Sequence, residues 1–176
     1  LAAQSYEDAE HLQIPVVWGA PGKALNSAIE QFQPNIIVSL GEGQVGRFTI
    51  ETRAKNTRLH RKDNLGRYPT EDVLPGGIPE QSATINAKLL QREIAAQDIP
   101  LRISEDAGQF ICEETLYYLE HIKRQTNSVE TVVFIHLPPY GSAITYQGQQ
   151  QNADEDLLAD FVERLMFAVN KMKEAS

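Results

Sequence analysis

Two runs in this chain are apolar without alternation: Ile36-Ile37-Val38-Ser39-Leu40 and Thr131-Val132-Val133-Phe134-Ile135-His136-Leu137-Pro138-Pro139, the second stopped by its two prolines. A strand with one face in water alternates apolar and polar residues, so an unbroken run of this length marks a strand covered on both faces, as in a parallel sheet between helical layers. The intervening segments have helical spacing. Ala24, Leu25, Ala28, Ile29 and Phe32 recur on one helical face before Pro34-Asn35 stops them, and Ile85, Leu89, Leu90 and Ile94 do the same within 84–97. A third helix runs from near Cys112 to about Lys123. A long closing helix spans 152–174, with Asn152 as its cap and Leu157, Leu158, Phe161, Leu165, Met166, Ala168 and Val169 inward.

Shorter strands are expected at Leu12–Trp18, where Pro15 suits an edge, at Phe48–Glu51 and at Ile99–Ile103. Residues 1–10, acidic and small, read as the tail of a helix. The polar stretch from Arg53 to Gly77 is too long for an ordinary connection and predicts a hairpin-like excursion. Tyr140–Gln151, rich in Gln, reads as a flexible loop. Strands alternating with helices give a single α/β domain over residues 1–176: a mainly parallel, twisted sheet with helices on both faces, an α/β/α sandwich.

Composition narrows the function. The 176 residues are enough to bury a core without staples, and one cysteine excludes an internal disulfide or a thiolate-rich zinc site; no metal or cofactor is called for. With 16 basic against 24 acidic residues, the formal charge of −8 argues against nucleic acid or an anionic membrane as a general partner. No apolar run approaches the roughly 18–20 residues of a membrane span. A cytoplasmic, reducing compartment is the simplest expectation, although a chain beginning at Leu1 leaves open a removed signal peptide. Gly41, Gly43 and Gly46 match the G-x-G-x-x-G pattern of dinucleotide sites, but a strand-like segment follows them where that site needs a helix, so a tight loop is preferred.

Two polar residues fall where the ends of strands meet. Cys112 opens a helix, where the helix dipole and unpaired N–H groups favour a thiolate. His136 interrupts the second apolar run. Either alone is more often structural: the thiol a small buried hydrophobe, the imidazole a hydrogen-bonded core group. Together they form a candidate dyad in which imidazole takes the thiol proton, with Glu51 available to orient the ring.

These residues sit in segments that resemble pyroglutamyl peptidase I, the pyrrolidone-carboxylate peptidase family of cysteine peptidases. The family's S-x-x-A-G-x-x-x-C-N is matched by Ser104, Ala107, Gly108 and Cys112, and its F-I-H-x-P by Phe134, Ile135, His136 and Pro138. A third segment is matched by Glu51, Ala54, Asn56, Arg61, Asp63, Asn64, Gly66 and Pro69, and the approach to the glycine loop by Pro34 to Gly41. The resemblance implies Cys112 as nucleophile, His136 as general base and then acid, Glu51 as the orienting carboxylate, and Arg61 and Glu42 as active-site support, with the Cys112 N–H in the oxyanion hole. It implies removal of an amino-terminal pyroglutamyl residue from blocked peptides, no cofactor, and by analogy a homo-oligomer.

The sequence also departs from the pattern. Glu113 follows the nucleophile where the family usually has Asn, Glu42 stands where Gln is common, and nothing like the family's aromatic N-terminal strand and loop precedes Leu12. These departures motivate an alternative: a silent or altered-specificity member that serves as a binding or assembly module or acts on another amide.

Overall fold

The second apolar run forms the axis of the sheet. In a computed structural model, which describes residues 9–174, the elements follow in the order α1 (Ala20–Phe32), β1 (Ile36–Glu42), β2 (Phe48–Glu51), β3 (Arg53–Lys55), β4 (Glu80–Ser82), α2 (Ala87–Ala95), β5 (Leu101–Ser104), α3 (Ile111–Gln125), β6 (Thr131–Leu137), β7 (Ala143–Tyr146), β8 (Gln149–Asn152) and α4 (Glu155–Glu174). The central sheet has the order β1-β6-β2-β5. β1 pairs parallel with β6 and β2 parallel with β5, while β2 meets β6 antiparallel, with Thr49 opposite His136.

Side chains alternate across a strand, so β6 sorts the core into two layers. Val133 and Ile135 join Phe48 and Ile50 of β2, Leu90 and Ile94 of α2, and Phe161 and Leu165 of α4. Phe48 stacks on Phe161 at 3.7 Å between centroids. Val132 and Phe134 face the other way, onto Leu25 of α1 and Leu116 and Leu119 of α3. The expected helices on both faces are therefore present: α2 and α4 on one, α1 and α3 on the other. His136, two residues beyond Phe134, belongs to the α3 face.

Several expectations are revised. β1 is not fully buried on both faces, contrary to what its apolar run predicts. It is the sheet edge, its apolar residues are only half-buried, and Leu40 is 42% exposed. Apolar content reports that helices flank a strand's faces but not whether both its edges are paired. Leu12–Trp18 is not a strand. The missing N–H of Pro15 and a tight turn, in which Val17 N donates to Pro15 O (2.8 Å), direct the segment onto the excursion, where Asn64 N donates to Val16 O (3.0 Å). The helix tail expected at the start lies, for residues 1–8, outside the described residues, and 9–15 adopt no regular structure.

The Gln-rich stretch is a hairpin, β7 pairing antiparallel with β8. Gln147 (φ 49°) and Gly148 (φ 73°) provide the two left-handed positions of the tight turn that suits strand twist. Ile144 and Tyr146 anchor it in the core, and Tyr146 OH donates to Asp160 Oδ2 at 2.7 Å. Composition concealed the alternation because only these two residues face inward. The closing helix is capped by Asp154 rather than Asn152: Asp154 Oδ1 accepts from Leu157 N at 3.0 Å. The excursion is bracketed by an antiparallel pair, β3 with β4, whose second strand lies beyond the expected bound at Gly77; between the two strands the chain forms turns and irregular loop.

Candidate functional site at the start of α3

α3 starts after a loop that turns through two left-handed residues, Gly108 (φ 90°) and Gln109 (φ 53°), so that Cys112 falls second in the helix. The first helical N–H groups have no intrahelical acceptor, which makes this end attractive to negative charge. The helix is held in place by its own first turn. Glu113, 2% exposed, accepts from Lys55 N at 2.6 Å and from Gln109 N at 2.8 Å, fastening α3 to β3 and to the preceding loop. Glu114, fully buried, accepts from Gly19 N (2.9 Å) and pairs with Arg58 Nε (2.8 Å). The carboxylate that replaces Asn at position 113 is thus committed to two backbone donors.

Cys112 is half-buried. A Cβ built on Gly41 would lie 3.0 Å from Cys112 Sγ and 3.2 Å from His136 Cδ2, so thiol and imidazole border one point at the end of β1. His136 Nδ1 is 2.8 Å from Glu51 Oε1. Cδ2 lies on the opposite side of the ring from Nδ1, beside Nε2, so the Nε2 edge faces the thiol. With Nδ1–H donated to the carboxylate, Nε2 is left for exchange with Sγ. Phe134 packs edge-on against the imidazole, with 5.1 Å between ring centroids.

Glu51 reaches His136 because the β2–β6 seam is antiparallel. His136 lies opposite Thr49, and Glu51, two residues along β2, is on the same face and diagonal to it. Glu51 is 2% exposed, and its Oε2 is buried without a hydrogen-bond partner among the described residues. Burial pulls the His136 imidazole down, but its hydrogen bonds with Cys112 and Glu51 and their negative charges outweigh this. The net effect raises it from the ordinary 6.5 to about 9.

Of the residues expected at a site, Cys112, His136 and Glu51 converge. Arg61 lies close by, with its guanidinium carbon 4.6 Å from the ring centre of Phe110, two residues before Cys112. Glu42 does not join them: Gly41 and Gly43 both face His136, so Glu42 between them points to the other face and is exposed. The glycines themselves have a packing role that the nucleotide pattern did not suggest. A Cβ at Gly43 would come 2.6 Å from His136 Cβ. Gly43→Ala is expected to displace the imidazole from Glu51, so that the His136 pKa falls from about 9 toward the ordinary histidine value with far-ultraviolet circular dichroism unchanged; an unmoved His136 titration would show that the ring tolerates the shift.

Sequence reasoning missed Trp18, whose indole N–H donates to Arg61 O (2.8 Å) and whose ring meets Phe110 edge-on at 4.8 Å. The only signal was its place just before a glycine turn. Asp63 was read as part of a motif without a structural role. It is buried and accepts from Trp18 N, Leu65 N and Arg67 N, which organises the excursion from within. Among the described residues, no group of three or more His, Cys, Asp or Glu side chains could hold a metal ion, and no helix is long and apolar enough to cross a membrane.

Comparison with known proteins places this geometry in context. The sequence profile of the family described as pyroglutamyl peptidase matches residues 4–169. A pyrrolidone-carboxylate peptidase of Gloeobacter violaceus is 36% identical over 141 residues, covering 78% of this chain and 68% of its own. One from Yersinia pestis is 32% identical over 129 residues, covering 72% of this chain and 60% of its own; the chain thus spans less than two thirds of that relative's length. Among solved structures, pyrrolidone carboxyl peptidase from Thermococcus litoralis superposes with a TM-score of 0.78 at 18% identity, over 95% of this chain and 84% of that one. Pyroglutamyl peptidase I from Bacillus amyloliquefaciens gives 0.72 at 26% identity, over 89% and 73%.

Proposed function

The chain belongs to the pyroglutamyl peptidase family, and from that premise we propose that it hydrolyses the amide bond following an amino-terminal pyroglutamyl residue, with Cys112 as nucleophile. The observation that carries this reading is the position of His136, hydrogen-bonded through Nδ1 to Glu51 with its other edge against the Cys112 thiol. An imidazole that keeps its proton through neutrality stands ready beside the sulfur, as the proton-holding partner that a cysteine nucleophile needs.

The thiolate attacks the pyroglutamyl carbonyl carbon, and the oxygen takes up negative charge near the N–H of Cys112 at the start of α3. As the tetrahedral species collapses, His136 gives its Nε2 proton to the departing nitrogen, and the shortened peptide leaves with a free amino group. A water then gives a proton to Nε2 while its oxygen attacks the thioester. Pyroglutamate is released and the thiolate–imidazolium pair restored. Glu51 stabilises the imidazolium throughout without taking its proton. Arg61, stacked over Phe110, supports the electropositive setting.

The direct test is release of dye from a pyroglutamyl-coumarin amide by the reduced protein. Turnover is expected, and its absence would sink the reading in favour of a silent module or another amide substrate. The pH profile is a sharper check. His136 must be protonated to donate to the leaving amine, so kcat/KM is expected to hold through neutrality and fall as pH rises through about 9. A fall centred near the ordinary histidine value of about 6.5 would mean that Glu51 and the thiolate do not hold the proton.

A further inference from the structure

The two carboxylate oxygens of Glu113 have different partners, and both partners are donors. Lys55 N donates to Oε1 at 2.6 Å and Gln109 N to Oε2 at 2.8 Å. The side chain is buried, so water is not at hand to replace either bond. A carboxylate offers two acceptors, whereas the amide of Asn or Gln offers one and sets an NH₂ group against the second N–H. The Glu that stands after Cys112 in place of the family's usual Asn therefore changes which backbone groups can be held, and not only the charge.

The groups held are those that lead the chain into the nucleophile. Gly108 N donates to Asp106 Oδ1 at 3.0 Å, and Gln109, the last left-handed residue before α3, is held at both its N–H and its carbonyl, which accepts from Leu59 N at 2.9 Å. Phe110 then enters the helix without a side-chain cap, and the first bond of the helical ladder is Glu114 N to Phe110 O at 3.0 Å. The N–H groups of Ile111, Cys112 and Glu113 precede that ladder and have no acceptor among the described residues. Their direction follows from the turn that Glu113 pins. Through its other oxygen Glu113 fixes the same helix to Lys55, at the end of the strand that follows Glu51 in the chain.

We propose that Glu113 is a positioning residue for the reaction: its two acceptor oxygens set the path of residues 109–112, so that the Cys112 N–H meets the carbonyl oxygen as charge develops there. The inference rests on the pyroglutamyl-peptidase reading and adds a residue to its machinery. Glu113 acts through Gln109 and the first turn of α3. The contact between the sulfur and His136 has a separate support, because Leu116 and Leu119 seat α3 on Val132 and Phe134 of β6. Loss of the carboxylate therefore misdirects the N–H donor while leaving the thiol beside its imidazole.

The test measures hydrolysis of a pyroglutamyl-coumarin amide by Glu113→Gln and Glu113→Asp, beside iodoacetamide alkylation of Cys112 at pH 6, a reaction that forms no oxyanion. Gln keeps the size and loses an acceptor; Asp keeps both acceptors and loses reach. We expect kcat to fall roughly 100-fold in the Gln variant and about tenfold in the Asp variant. KM and the alkylation rate are expected to stay within about threefold of the parent protein in both. A Gln variant with the parent's kcat, or one faster than the Asp variant, would show that size and not acceptor number matters, and overturns the role. Equal losses of kcat and alkylation would mean that Glu113 keeps the fold or the thiol–imidazole contact, and overturn it as well. If the Gln variant folds poorly, the Asp variant decides, and a kcat equal to the parent's overturns the proposal. Absence of turnover by the parent protein overturns the peptidase reading too, whereas a working parent with unaffected variants overturns the positioning role alone.

Discussion

Cys112→Ala is expected to reduce release of dye from a pyroglutamyl-coumarin amide by about 10⁴-fold or more, because a methyl group can neither attack the carbonyl nor carry the acyl group. The effect on folding should be small by comparison. Cys112 is half-buried at the edge of the α1–α3 core, and loss of its sulfur removes a modest amount of packing. A melting temperature close to that of the parent protein, with substrate turnover gone, is the expected pair of results. If dye release persists at a tenth of the original rate or more, another group performs the attack and the role given to Cys112 is wrong.

Glu51→Gln should be nearly as damaging to catalysis and should act through the imidazole. Gln keeps the shape but removes the negative charge that holds Nδ1–H and the imidazolium, and a loss of roughly 10²–10⁴-fold in kcat follows. Two further readouts separate this role from a structural one. The upper limb of the pH profile should move down from about 9, since one of the groups raising His136 is gone. Thermal stability should not drop in step with activity, because Glu51 buries a carboxylate whose Oε2 has no hydrogen-bond partner among the described residues. Loss of activity with an unchanged pH limb would show that Glu51 serves packing alone.

Much of the architecture could be read from residue pattern. β6 is central because Val132 to Ile135 contains nothing that needs water, and α3 and α4 follow the spacing of their apolar faces. Edge, seam and cap were harder, for physical reasons. Strand pairing depends on partners remote in sequence, so Ile36–Leu40 gave no sign of lying at the edge. Nor did Phe48–Glu51 show that it runs against β6, although that antiparallel seam is what brings Glu51 diagonally to His136. Buried polar groups were the least legible. Glu113, Glu114 and Asp63 look like solvated charges in sequence. Each is buried because distant backbone donors, from Lys55, Gly19 and Trp18, come to meet it. The neighbourhood of Cys112 and His136 was suggested by their positions at segment ends and by motif resemblance, whereas no pattern indicated that Gly43 must lack a side chain to let His136 sit where it does.

The central claim is that His136 and Glu51 make Cys112 an activated thiol, and its reactivity can be measured without a substrate. The second-order rate of alkylation by iodoacetamide at pH 6 should exceed that of cysteine in an unstructured peptide by at least about tenfold, since an ordinary thiol near 8.5 is almost entirely protonated there. The advantage should disappear in His136→Ala. Labelling of Cys112 at the rate of the free peptide, unchanged by removal of His136, would contradict the account.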